Sequence, residues 1–214
     1  MRNNNGRGAT PKLPKRRWAG MTHLQTVRRL NQGCVALLAR RKREEADLSA
    51  GETDLDWGGW SKVDSRVLGR AAACPILLLD LNFQRADWWE QAVRGSIPPR
   101  PIGRSAWFSR EEAKSLVQEI LTEAWSIGRT MPRAANLVFG MAPAVTAAIA
   151  GLGAAEIDRI AVECIPYLRP RWFDRPTFWV NLLRAARGAD DTALANVHLH
   201  MLQLLGGELL FRPA

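Results

Sequence analysis

Cysteine, histidine and tyrosine are scarce in this chain, with three, three and one among 214 residues. Cys34, Cys74 and Cys164 are widely spaced and make no CxxC pair, which excludes a disulfide-dense scaffold and a paired-thiol zinc ligand set, and suits a reducing compartment. His198 and His200 lie two apart, so on a helix they point about 200° from each other and cannot share a metal. No GxSxG, P-loop or dinucleotide fingerprint occurs, and Gly151-Leu152-Gly153 stands alone. Glu52, Asp54 and Asp56 lack the ligand spacing of a calcium loop. Asp190-Asp191, after Gly188, reads as a helix-capping pair. These absences nominate no catalytic residue, metal or cofactor, and the expectation is a protein that is not an enzyme.

Long apolar runs are missing too. The start, MRNNNGRGATPKLPKRRW, has no hydrophobic h-region, so no secretory signal is expected. Residues 137–155 come closest to a membrane span, but Gly140, Pro143, Gly151 and Gly153 interrupt them, and a helix pair is expected there. With the cysteine usage, this points to a cytoplasmic protein with no membrane partner.

What is present is an uneven charge. Residues 1–43 carry twelve Lys and Arg and no Asp or Glu, whereas the remainder carries 18 basic against 21 acidic side chains, so the formal +9 originates entirely in the N-terminal fifth. Such asymmetry is expected of a segment that meets a polyanion while the rest of the chain folds and binds protein. Phosphates relieve the self-repulsion of clustered cations by releasing condensed counterions.

The spacing of apolar and breaking residues predicts a mainly α-helical fold in three parts. Residues 1–21, with Asn3 to Asn5, Gly6, Gly8, Pro11 and Pro14, read as a flexible basic arm. Residues 22–108 read as an N-terminal module. It opens with a Thr22/Gln25 capping box and a helix bearing Leu24, Val27, Leu30, Cys34, Val35 and Leu38 at helical spacing, as far as Arg43. An acidic, Gly-rich connection at 47–60 follows, then a short helix from Asp64, an apolar run at 75–83 that suits a buried strand or a helix start equally, and a helical stretch at 85–93. The segment 95–104, with three prolines and two glycines, marks an internal boundary. Residues 109–214 read as a helical domain, opened by a Ser109/Glu112 capping box and continued by helices near 109–128, 131–139, 142–151, 154–165, 175–187 and 190–206, with glycines at most of the joins.

Six of the nine tryptophans cluster as Trp57/Trp60, Trp88/Trp89 and Trp172/Trp179. In the basic-aromatic stretch 169–179 they suit base stacking beside Arg169, Arg171 and Arg175, but a core or a subunit interface, where large aromatics dominate the buried area, is the favoured expectation.

From Glu111 to about Leu205 the order of features resembles FlhD, the helical subunit of the bacterial flagellar master activator, and its relatives on conjugative elements. The resemblance is carried by the long helix from Ser115 to Gly128, Met131-Pro132-Arg133-Ala134-Ala135-Asn136-Leu137-Val138-Phe139-Gly140-Met141, Val145 to Leu152, Ala155 to Ala161, the stretch Arg169 to Phe173, and a last helix with Val197-His198 and Leu202 to Leu205. It implies a helical protein that self-associates through its long helices and joins a zinc-containing FlhC-like subunit in an assembly that binds promoter DNA and recruits RNA polymerase. About 108 residues precede the matching part.

The resulting expectation is a DNA-binding transcriptional regulator, an activator in a homo- or hetero-oligomer, with double-stranded DNA as its nucleic-acid partner. Lys12, Lys15, Arg16, Arg17, Arg28, Arg29, Arg40, Arg41, Lys42 and Arg43, with Arg169, Arg171 and Arg175, are the expected DNA contacts. Leu116, Val117, Ile120, Leu121 and Trp125 are the expected oligomer interface. The rival expectations are a nucleic-acid-binding accessory protein without sequence preference and a protein-interaction module.

Overall fold

The computed structural model describes residues 16–48, 59–97 and 107–211, with side chains over 23–44, 59–97 and 107–209. The fold is mainly helical. Helix α1 (Arg16–Leu48) contains the expected apolar stripe from Val27 onward, with Val27, Leu30, Cys34, Val35 and Leu38 all at 0–1% exposure, whereas Leu24, expected in the same stripe, is exposed. The helix begins upstream of the expected Thr22 cap, so residues 16–21 belong to the helix and not to an arm. A 3-10 turn (Trp60–Lys62) and α2 (Ser65–Ala71) follow, and the Asp64 carboxylate caps α2 by accepting from the Val67 N–H at 2.8 Å. Strand β1 (Leu79–Asp80) and α3 (Ala86–Val93) complete the first half.

Local signals place the later helices closely. Helix α4 (Arg110–Thr130) opens with the predicted box: the Glu112 N–H donates to Ser109 Oγ at 3.3 Å and the Ser109 N–H donates to Glu112 Oε2 at 2.7 Å. Helices α5 (Pro132–Phe139), α6 (Pro143–Ala150) and α8 (Pro176–Arg187) each carry proline in the first turn, where its missing N–H costs nothing. Helix α7 (Ala154–Cys164), strand β2 (Arg169–Pro170) and α9 (Asp191–Phe211) complete the order. Gly140, at φ 59°, ends α5; a Cβ there would overlap the Arg171 guanidinium and the Leu205 side chain.

The packing crosses the expected boundary. Helix α4 lies at the centre, against α1, α5, α6 and α7, while α2 packs on α8, α3 packs on α6 and α7, and β1 pairs antiparallel with β2. The buried apolar residues from Val27 to Leu205 form a single cluster. The expected division into a module at 22–108 and a domain at 109–214 therefore gives way to one shared core, because α1 packs on α4 as well as on the Trp60–Lys62 turn and α2, and α2 and α3 pack on α8, α6 and α7.

The apolar run at 75–83 is neither a full strand nor a helix. Ile76, Leu77, Leu78, Leu79, Leu81 and Phe83 are at 0–2% exposure, yet the ladder covers only Leu79 opposite Pro170 and Asp80 opposite Arg169. Buried backbone polar groups need partners, and here distant residues supply them. Asn31, fully buried on α1, accepts from the Leu78 N–H at 2.8 Å and donates to the Cys74 and Ile76 carbonyls at 3.2 and 2.9 Å. The Leu77 N–H donates to the Val138 carbonyl at 2.8 Å.

Candidate nucleic-acid interface

The expected cations of α1 divide by surroundings. Lys12 and Lys15 lie outside the described residues; Arg16 and Arg17 sit at the start of α1 and their side chains lie outside the described set. Arg28, Arg29, Arg40 and Arg43 are exposed, Arg41 is half-buried, and Lys42 is buried at 4% exposure. Arg29 donates to Glu119 at 2.6 Å, Arg40 is ion-paired with Glu112, and His23 Nδ1 lies 3.6 Å from Glu123. These three contacts run in opposite sequence order along the two helices, so they form a ladder that fastens α1 antiparallel to α4. Arg41 donates to the Trp107 carbonyl with its guanidinium 5.2 Å from the centre of that ring, and Arg43 donates to the Ser61 carbonyl at 3.2 Å. Part of the cationic run is thus spent within the fold. The acidic side of the ladder, Glu112, Glu119 and Glu123 on one face of α4, escaped the sequence reading; its signal was three carboxylates spaced seven and four residues apart.

The second basic stretch lines a cleft of about 530 Å³ with Asp80, Arg169, Arg171, Trp172, Arg175 and Glu208 among its walls. Arg169 meets Asp80 Oδ2 through Nε at 2.9 Å and Nη2 at 2.6 Å. Burial alone would raise the Asp80 carboxyl, but the Arg169 and Arg171 guanidiniums, with hydrogen bonds from Arg169 and the Phe83 N–H, outweigh it and hold the group below the usual carboxylate range. Arg171 is 3% exposed: it donates to the Leu77 carbonyl at 3.2 Å and to the Phe139 carbonyl, and reaches Glu208 at 3.5 Å. Glu208 also accepts from Trp172 Nε1 at 2.9 Å. Arg175 is exposed at the mouth. Three guanidiniums face three carboxylates, Asp80, Asp174 and Glu208, so the cleft is balanced in charge. Burial removes Lys42 and Arg171 from the expected phosphate contacts, since both lie within the protein and Arg171 binds backbone carbonyls there.

The aromatics fill the core. Trp60, Trp88, Trp89, Trp172, Phe178 and Trp179 are at 0–4% exposure, with Trp60 and Trp179 edge to face at 5.8 Å; Trp57 lies outside the described residues. The expected oligomer stripe is likewise spent internally. Val117, Ile120 and Leu121 are fully buried, Leu116 packs on Gly33 of α1, and Trp125, half-buried, donates to the Leu152 carbonyl at 2.8 Å. The correction is physical: an amphipathic stripe declares that a face is covered, not by whom, and here the same chain covers it.

Other chemistry leaves few marks. Burial pushes all three cysteine thiols up, Cys74 to about 12, so none carries an activated thiolate. Among the described residues no three or more His, Cys, Asp or Glu side chains are grouped to hold a metal ion. No single described helix is long and apolar enough to cross a membrane; α5 and α6 meet that test only as a pair bent by 116°. Comparison with known proteins returned no matching family model, no matching curated protein and no matching solved structure.

Proposed function

We propose that the chain is a DNA-binding regulatory subunit whose phosphate contacts come from the cations of residues 2–43, in the FlhD-like class that its helix order resembles. The carrying observation is the charge distribution: twelve basic and no acidic side chains in the first 43 residues, against a slightly acidic remainder. Because Arg29 and Arg40 pair with α4 and Lys42 is buried, the reading places most of the phosphate contact on Arg2, Arg7, Lys12, Lys15, Arg16, Arg17 and Arg28. Arg175 is a secondary contact. Such contacts position a protein on a duplex without specifying sequence. In this reading a zinc-containing FlhC-like subunit and RNA polymerase are the protein partners.

The test is duplex binding as a function of salt. Replacing Lys12, Lys15, Arg16, Arg17 and Arg28 together by Gln is expected to weaken binding and to flatten the dependence of log K on log salt by about 0.9 for each phosphate that is no longer neutralised. An unchanged slope overturns the assignment. Equal affinity for promoter and random duplex moves the reading to an accessory protein without sequence preference. Co-purification with native mass measurement tests the partner, a zinc-bearing companion being the expected result.

A further inference from the structure

A constant shift of 90 residues carries α1, α2, β1 and α3 onto α4, α7, β2 and α8, leaving α5, α6 and α9 without counterparts. Strand Leu79–Asp80 falls on strand Arg169–Pro170. Asn82, at φ 56°, falls on Trp172, at φ 54°, and these are the two non-glycine residues with positive φ among those described, a conformation few such residues adopt. The Arg85 N–H donates to the Asn82 carbonyl at 2.9 Å and the Arg175 N–H to the Trp172 carbonyl at 2.8 Å, and a helix starts immediately after each. Trp88 and Trp89 fall on Phe178 and Trp179; both ring pairs have centroids 5.4 Å apart, at 78° and 81°. Each second tryptophan donates its indole N–H to the carbonyl eight residues earlier, Trp89 to Leu81 at 3.2 Å and Trp179 to Arg171 at 3.1 Å.

The match extends upstream. Val67, Ala71 and Cys74 fall on Ile157, Ala161 and Cys164, and Val27, Leu30 and Cys34 on Val117, Ile120 and Ala124, all buried. The contacts obey the same exchange. The pairing of Leu79 with Pro170 becomes that of Arg169 with Asp80, which is the other pair of the ladder. The antiparallel pair α1 and α4 exchanges with itself, and α2 on α8 becomes α7 on α3, which is also in contact. A shift that preserves sequence position, an uncommon backbone conformation and inter-element packing together describes an approximate twofold axis between β1 and β2 and between α1 and α4.

We infer that α1, α2, β1 and α3 on one side and α4, α7, β2 and α8 on the other are two copies of one helix–helix–strand–turn–helix unit, fused in tandem and folded as a dimer within one polypeptide, with α5 and α6 inserted in the second copy and α9 following it. The interface that a single unit would complete with a second copy, α1 on α4 and β1 on β2, is completed within the chain. A second chain enters this interface only by exchanging a whole unit.

The test replaces residues 98–106 in the full chain by a protease recognition sequence. After cleavage, the two fragments are expected to elute together at the position of the intact chain, in equal amounts, and to unfold in one transition. A fragment that elutes alone, or two separate transitions, overturns the inference. Should the altered linker prevent folding, Trp89→Phe and Trp179→Phe in the otherwise unchanged chain provide the second measurement. Each removes the equivalent indole donor, and the two drops in unfolding midpoint are expected to match within about a factor of two, at several degrees each. A silent change at one position with a severe one at the other counts against equivalence.

Discussion

Arginine serves opposite ends on α1 and at the turn after β2. On α1, Arg29 and Arg40 reach sideways from exposed positions to Glu119 and Glu112, and water competes for every contact. After β2, Arg171 is enclosed and binds the Leu77 and Phe139 carbonyls, with Glu208 at the rim. Five donors in a rigid fork make the second use possible. The difference teaches that a count of cations measures affinity for polyanions only after those already holding the fold together are subtracted. By that subtraction, the basic stretch 169–175 drops from three expected contacts to one exposed arginine.

The sharpest way to break the comparison is Arg171→Met. It leaves two buried carbonyls without their donor and Glu208 without its cation, and is expected to cost about 3 kcal/mol, lowering the melting temperature by roughly 6–12 °C for a chain of this size. A thermal melt reads it, and a loss within error of zero would erase the distinction between the two sites. Next comes acid. The Asp80 carboxyl titrates lower in the folded chain than in the unfolded one, so its contribution is complete above the ordinary carboxylate range and is lost as pH falls through the folded value. Asp80→Asn should therefore be less stable than the parent at neutral pH and should converge with it in strong acid; equal stability at every pH contradicts the pairing with Arg169. The smallest effect is expected from Arg29→Gln with Arg40→Gln, less than about 1 kcal/mol for each exposed pair and smaller still at high salt. A large, salt-insensitive loss would show that the α1 ladder behaves like the enclosed site.

Much of the fold was legible in the order of residues. The Ser109/Glu112 box, the glycines at the joins and the apolar spacing of α4 placed the starts of the later helices to within a few residues, since all of these act within one or two turns. The start of α1 was misplaced because Thr22/Gln25 satisfies the capping pattern inside a helix that had already begun. The run at 75–83 stayed ambiguous because its partners, Asn31, Val138 and Arg171, lie about 45 to 95 positions away, and no local pattern names them. The stretch 169–175 reads the same whether its arginines face solvent or carbonyls.

The sequence by itself determined the helical class, most helix boundaries and the concentration of positive charge at the N-terminus, because capping, periodicity and charge are properties of neighbouring residues. Tertiary structure alone decided that the stripe of α4 is covered by α1, α5, α6 and α7 of the same chain, that Leu79 faces Pro170, and that Arg171 is enclosed while Arg175 is open. Each of these depends on which distant segment arrives beside a side chain, and burial and hydrogen-bond partners do not exist until it does.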